Sequence, residues 1–411
     1  MASKTVELTD YVTCEAALRE ADLKQSLYDE GALLMHDVLV TLHGEAHRQR
    51  RLTEMRVFRR DFFRKYEAQV IPQIFSEVMS AIDDPTHVEL VDLNYRFMVY
   101  LAVSFAGIDR QTGTVEELDT LVYLLRMFGV AATLGQAKES RDKEEAKQQV
   151  AAAIEQFDQQ FLQPSIKRRR MLLAEVEAGE QSADSLPMDV LTVLLQDEAK
   201  LSLEADMLLR ETAFYFLASA HTSVHSLGHA VDHLLNWCET HAGARETFVS
   251  DPLSVQRFVH ESFRLHPSSP VAKRLALSEI KFLDGQTASL GDTVIINLRQ
   301  ANRDTNVFGA DAEVFNPQRN IKQGTSETGI TFGIGMHACL GKNLAAGSLP
   351  KVSKQESSPT LQQHQLGTVP WICHQLLKAG IQKHPQDKAQ LDQAIERETW
   401  AKYPVYFDSI N

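Results

Sequence analysis

Cysteine is scarce in this chain, with four in 411 residues. That is too few for a disulfide framework at this length. Cys14, Cys238 and Cys373 lie far apart with no C-x-x-C spacing, which argues against zinc, and Cys14 and Cys238 read as ordinary helix residues. Long apolar runs are also missing. The longest candidate, within Phe214 to Leu235, is interrupted by polar residues, so no membrane span is expected. The opening residues Met-Ala-Ser-Lys-Thr-Val-Glu have no apolar segment of the secretory kind, and a cytoplasmic location is the expectation. Basic excess is absent too: the net charge of -13 argues against general nucleic-acid or anionic-membrane binding. No linker or repeat divides the chain before residue 347, so 1–411 is expected to form one domain. With 44% hydrophobic residues it can bury a sizeable core.

What is present is concentrated in Phe332-Gly333-Ile334-Gly335-Met336-His337-Ala338-Cys339-Leu340-Gly341. Three glycines allow positive φ and close approach to a flat ligand. The atom they wrap is the sulfur of Cys339. A thiolate held in such a bend has backbone N–H groups aimed at it, which stabilise its charge and tune its donation to a metal. Phe332 is placed to shield that sulfur, and His337 to reach a carboxylate at the ligand's rim.

This stretch resembles the haem-binding signature of the cytochrome P-450 family, in which a cysteine thiolate is the proximal ligand of haem iron. The resemblance implies a mainly α fold with a small β region. It also makes Cys339 the metal ligand of haem b, with Phe332, His337 and Gly341 as further cofactor-binding residues. Upstream, His47 and Arg51 are four apart on one helical face. They match the family's H-x-x-x-R pair, which clamps the haem propionates, and Arg274 on an alternating strand is a further candidate for that task. Glu261 and Arg264 match its E-x-x-R pair. Arg319 would complete that pair as a structural triad.

Other segments fall in the family's order. Asp10 to Leu27 reads as a helix similar to the family's B helix, and the usual N-terminal helix and hairpin before it are expected to be lacking. Leu90 to Ala106 reads as a core helix with one apolar side. Thr114 to Gln136 and Asp142 to Leu173 resemble the two helices that cover the substrate pocket, and Lys167-Arg168-Arg169-Arg170 on the second reads as solvated surface. Leu201 to His241 is the longest helical pattern and is similar to the family's central helix. Within it, Ala218-Ser219-Ala220-His221-Thr222 offers small side chains beside a flat cofactor and a hydroxyl, Thr222, to hydrogen-bond oxygen. His221 stands where the family has an acid. Either it relays protons with Thr222, from an ordinary pKa of about 6.5, or it faces away. After Cys339, Gly347-Ser348-Leu349-Pro350 breaks the chain and a polar, exposed loop insertion is expected at about 350–367.

The function this implies is a haem-thiolate monooxygenase, inserting one oxygen atom from O2 into a hydrophobic small molecule. No flavin or dinucleotide glycine motif is present, so electrons would come from outside, through a ferredoxin-type donor and an NAD(P)H-dependent reductase. The donor would dock on the face near Cys339. Two alternatives stay open: a peroxide-driven haem hydroxylase, and a non-catalytic haem sensor or carrier. Leu33, Leu34, Met35, Leu125, Phe128, Phe214, Leu217 and Val271 occur in segments that line the family's pocket.

Overall fold

The computed structural model describes residues 3–138, 142–349 and 364–408. Helices dominate, and a small sheet joins sequence-distant strands. β1 (Thr5–Leu8) leads into α1 (Tyr11–Arg19), and β2 (Leu23–Gln25) follows. The helix expected over Asp10 to Leu27 therefore stops at Arg19. Asp10 caps it by accepting from Thr13 N at 2.9 Å, and alternating burial at Leu23 and Gln25 turns the rest into a strand.

α2 (Gly44–Glu54) carries the basic run, and α3 (Leu90–Ala106) occupies the expected bounds. α3 is buried nearly all round rather than on one side, because it packs against three other long helices. One of them is α4 (Val115–Thr133). By length and composition Val115–Gln136 could cross a membrane, contrary to the expectation that no stretch could, but half of that stretch is buried within this fold. The other two are α5 (Ala205–Ala218) and α6 (His221–Thr240).

α5 and α6 replace the one long helix expected from Leu201 to His241. Ser202 in the left-handed region, φ 50°, ends a short turn before α5. Between α5 and α6, Ser219 Oγ donates to Tyr215 O at 2.7 Å and Ala220 leaves helical geometry at φ -124°. A hydroxyl competing for the helix's own carbonyl is a common cause of a break.

α7 (Pro252–Leu265) precedes β3 (Val271–Ala276) and β4 (Thr293–Asn297). The sheet order is β1-β4-β3-β2. β1 runs parallel to β4, with Val6 opposite Val294, and β3 is antiparallel to both its neighbours. Alternation on β3 turns Ala272, Arg274 and Ala276 inward. α8 (Thr368–Lys378) then packs on α6 and α7.

Two surface expectations change. Arg169, read as solvated, is buried and paired with Asp189 at 2.8 Å and Asp109 at 2.7 Å, because its helix meets the C-terminus of α3 there. The loop at about 350–367 falls mostly on residues outside those described. Its last part is packed rather than exposed: Gln365 is buried, and Leu366 and Gly367 donate their N–H groups to Glu67.

Candidate active site

The loop from Phe332 to Gly341 is closed by Cys339 N donating to Phe332 O at 2.8 Å. Gly333 and Gly335 have φ 63° and 73°, where residues with a Cβ are strained. A Cβ on Gly335 would also sit 2.7 Å from the carbonyl oxygen of Leu18 in α1. Gly341 differs from expectation. Its φ is -83°, so it needs no left-handed freedom, and a Cβ there would make ordinary contact with Cys339 Sγ at 3.9 Å.

Cys339 lies deep in the molecule yet is exposed to a cavity of about 320 Å³. Burial pushes its thiol pKa up. Backbone N–H groups of Gly341 and Lys342 and the charges of Arg51 and Lys342 oppose that shift. The sulfur is thus surrounded by groups that favour a thiolate, and a bound cation would complete the balance.

Around this loop gather four donor side chains without acid partners. Arg51 Nη2 donates to Ala338 O at 2.7 Å, and Arg274 Nη1 to Gln25 Oε1 at 2.5 Å. The rings of His47 and His337 stand edge to face, 4.7 Å apart. His47 Nε2 and His337 Nε2 are buried without a hydrogen-bond partner. Among the described residues no Asp or Glu lines the cavity. Burial and the neighbouring Arg51 lower the pKa of His47 to about 4, and burial and Arg274 lower that of His337 to about 3. Such a cluster is incomplete without an anion, and a ligand bearing carboxylates supplies it.

The break between α5 and α6 opens onto the same cavity, which Leu217, Ala218, Ser219 and Thr222 line. Thr222 is exposed there, and its carbonyl accepts from Ser268 Oγ at 3.1 Å. The His221 ring instead lies between α3, α4 and α6. Its Nε2 is 3.3 Å from His225 Nε2, its ring meets Tyr95, and it fills the space above Gly129. Burial, then Arg397 and Arg126, push its pKa down to about 3 rather than leaving it near the working pH. His221 thus borders the cavity, with its Nε2 turned to His225 and Gly129. Of the apolar residues singled out, Met35, Phe214 and Leu217 line the cavity, whereas Leu34, Leu125 and Phe128 are core and Leu33 is exposed.

Behind the loop, Arg264 is fully buried and forks onto Glu261, with Nε and Nη2 each 2.7 Å from a carboxylate oxygen. Arg319 Nε reaches Glu261 Oε1 at 3.3 Å. Asn302 ties this group to the loop: its amide donates to Arg264 O and Thr331 Oγ1, and its oxygen accepts from Ile330 N.

Residues 253–349 match the Cytochrome P-450 family. The solved structure of CalO2 superposes with a TM-score of 0.72 at 15% identity, covering 98% of this chain and 90% of that one. CYP109E1 from Bacillus megaterium, crystallised with corticosterone, gives 0.71 at 14% identity, covering 98% and 92%. The chain has the cytochrome P-450 fold. Among curated proteins, indoleacetaldoxime dehydratase of Arabidopsis thaliana is 37% identical over 108 residues, 25% of this chain and 22% of that protein. Mycinamicin VIII C21 methyl hydroxylase of Micromonospora griseorubida is 36% identical over 140 residues, 33% of each. The matches therefore span a third or less of these relatives' own lengths.

The resident group of a cytochrome P-450 is haem b, and the residues present fit it. Cys339 offers a sulfur beside backbone N–H groups, and His47, Arg51, Arg274 and His337 offer donors without acid partners for two propionates. Three features escaped sequence reasoning. Arg50, Glu54, Glu211 and Tyr215 form a buried network in which Tyr215 donates to Glu54 at 2.6 Å and Arg50 pairs with Glu211. Two acids lie together there with a single guanidinium, which pairs with Glu211, and burial raises the pKa of both. His221, His225, His229 and His233 recur every fourth residue on α6, a spacing visible in the sequence. The third feature, Arg397, had no local signal.

Proposed function

We propose that this protein is a cytochrome P-450, a haem-thiolate monooxygenase acting on a small, largely apolar molecule. The carrying observation is the Cys339 sulfur facing a cavity beside four donor side chains that have no acid partner. The overall change is R–H + O2 + 2 electrons + 2 protons → R–OH + water. Haem, held through Cys339, supplies the redox chemistry of O2. The chain's own contributions are separate. Arg51, Arg274, His47 and His337 hold the propionates. Phe332, packed edge to face on Phe263 at 5.2 Å, covers the sulfur's side of the loop. Met35, Phe214 and Leu217 exclude water and bind the apolar body of the substrate. Thr222 holds a proton at its hydroxyl on the cavity side of α6, and the two protons consumed come from solvent.

Electrons come from an external donor of the ferredoxin type with an NAD(P)H-dependent reductase, docking near Cys339. A second reading has one observation in its favour. With no acid lining the cavity among the described residues, peroxide, which brings its own protons and electrons, suits the site as oxidant. Product formation from a panel of terpenoids, steroids, fatty acids and small aromatics separates the readings. Product only with the reductase system supports the monooxygenase, and product with peroxide alone supports the second reading. No product with either, together with a normal haem spectrum, points to a sensor or carrier.

A further inference from the structure

Arg51 and Arg274 are accounted for by the carboxylate receptor around the Cys339 loop, but the cavity has a third buried guanidinium. Arg397 is 5% exposed and lines the same space. Its neighbours differ from those of the other two. Nε donates to Gln136 Oε1 at 2.5 Å, at the turn after α4, and Nη1 donates to Ser268 O at 3.0 Å. Nη2 is buried with no hydrogen-bond partner.

The segment that carries it is pinned. Glu396 N donates to Gln136 O at 2.9 Å, Lys138 N to Ala394 O at 3.0 Å, and Ala137 bridges to Ile395. Arg397 is in no ion pair among the described residues, and no Asp or Glu lines the cavity. A guanidinium keeps its proton in proteins, so it stays charged even when buried. Burial pushes its pKa down, and the charge and hydrogen bonding of the phenol of Tyr28, another cavity residue, oppose that. A desolvated cation on the wall of a ligand space, with one nitrogen lacking a hydrogen-bond partner and no acid beside it, is a receptor for an anion.

We infer that Arg397 anchors a carboxylate of the substrate, so that this enzyme acts on apolar carboxylic acids. The inference deepens the proposed function and rests on it for the identity of the cavity as a substrate site. The surroundings suit an amphipathic acid. Ser268 Oγ lies 2.7 Å from Ser226 Oγ and donates to Thr222 O at 3.1 Å, which makes a hydroxyl-bearing shelf beside Arg397. Met35, Val40, Phe214, Leu217 and Leu298 give the rest of the wall its apolar character. A fork of parallel N–H donors matches a carboxylate, and an ester of the same body would leave the charge unpaired.

The test compares acids with their own methyl esters on the haem-loaded protein, by calorimetry and by Soret titration. Decanoate, 4-ethylbenzoate and abietate give three unlike apolar bodies. For at least one body, wild type should bind the acid roughly tenfold or more tightly than the ester. Arg397→Gln should abolish that preference while ester affinity and haem content stay at wild-type levels, and Arg397→Lys should retain part of it. Three acids each binding no better than their esters would overturn the anchor, and wild type alone decides this should a variant misfold. A loss of haem in Arg397→Gln matching that in Arg51→Ala would also overturn it, by making Arg397 a propionate partner. The carbon monoxide spectrum is read separately. An acid preference without thiolate-ligated haem would defeat the monooxygenase reading and leave the anchor standing.

Discussion

Removing the guanidinium of Arg264 tests how far the proximal side depends on one buried ion pair. This side chain is fully buried, forks onto Glu261, donates to Asn302 O at 2.5 Å and Ala312 O at 2.8 Å, and lies 4.9 Å over the Phe308 ring. Arg264→Ala leaves Glu261, itself 4% exposed, with only Arg319 and Asn316 N as donors. Breaking such a pair costs about 3–5 kcal/mol, because the surviving charge keeps its desolvation penalty and loses its partner. For a chain of 411 residues the unfolding entropy is roughly 0.9 kcal/mol/K, so the melting temperature should fall by about 3–6 °C. Arg48→Ala is the control: its pair with Glu45 is exposed at 70% and 61%, and surface pairs contribute about 0–1 kcal/mol. The assay is thermal unfolding followed by far-UV circular dichroism on haem-loaded protein. Arg264→Lys should fall between wild type and Arg264→Ala, since it keeps the charge and loses the fork. Because Asn302 links Arg264 to Ile330 and Thr331, both Arg264 variants should also release haem faster. A melting temperature for Arg264→Ala within 1 °C of the Arg48→Ala control would refute the reasoning.

Reduced wild-type protein with carbon monoxide should show the long-wavelength Soret band of thiolate ligation, and Cys339→Ala should lack it. A wild-type band at the shorter, imidazole-type position would remove Cys339 as ligand. Arg51→Ala should purify with less haem than wild type, since a propionate then loses a charged donor, and equal occupancy would take Arg51 out of the site. Acid should destabilise the fold through α6. Burial with Arg397 and Arg126 holds His221 neutral, and burial with His266 holds His229 neutral, each with a pKa lowered from 6.5 to about 3. Their contribution is complete above pH 6.5 and is lost as pH falls from 6.5 towards 3, by about 1.4 kcal/mol per pH unit for each imidazole. His229→Gln should flatten that slope in urea titrations between pH 6.5 and 5, and an unchanged slope would place the titration elsewhere. Thr222→Ala should lower product formed per NAD(P)H consumed, whereas His221→Ala should match wild type in coupling and pH profile. A changed pH profile for His221→Ala would restore the relay role.

The chain by itself determined the parts whose chemistry is local in sequence. The Cys339 loop carries its own glycines at 333 and 335, and the Glu261–Arg264 spacing puts both groups on one helical face. The bounds of α3 follow from a long apolar helical run with a cap at each end. Only tertiary structure decided what depends on which helix lies opposite. The His221 ring lies against α4 because Gly129 leaves room for it. The expected central helix breaks because Ser219 bonds back to Tyr215 beside a large empty space. Arg50 pairs with Glu211, Tyr215 bonds Glu54, and Arg397 meets Gln136 and Ser268, across separations no local pattern records. A pattern of spacing reports which face a residue occupies on its own helix. Whether that face meets a partner, a ligand or nothing is fixed by packing between distant segments, and the energies of the buried charges follow from that.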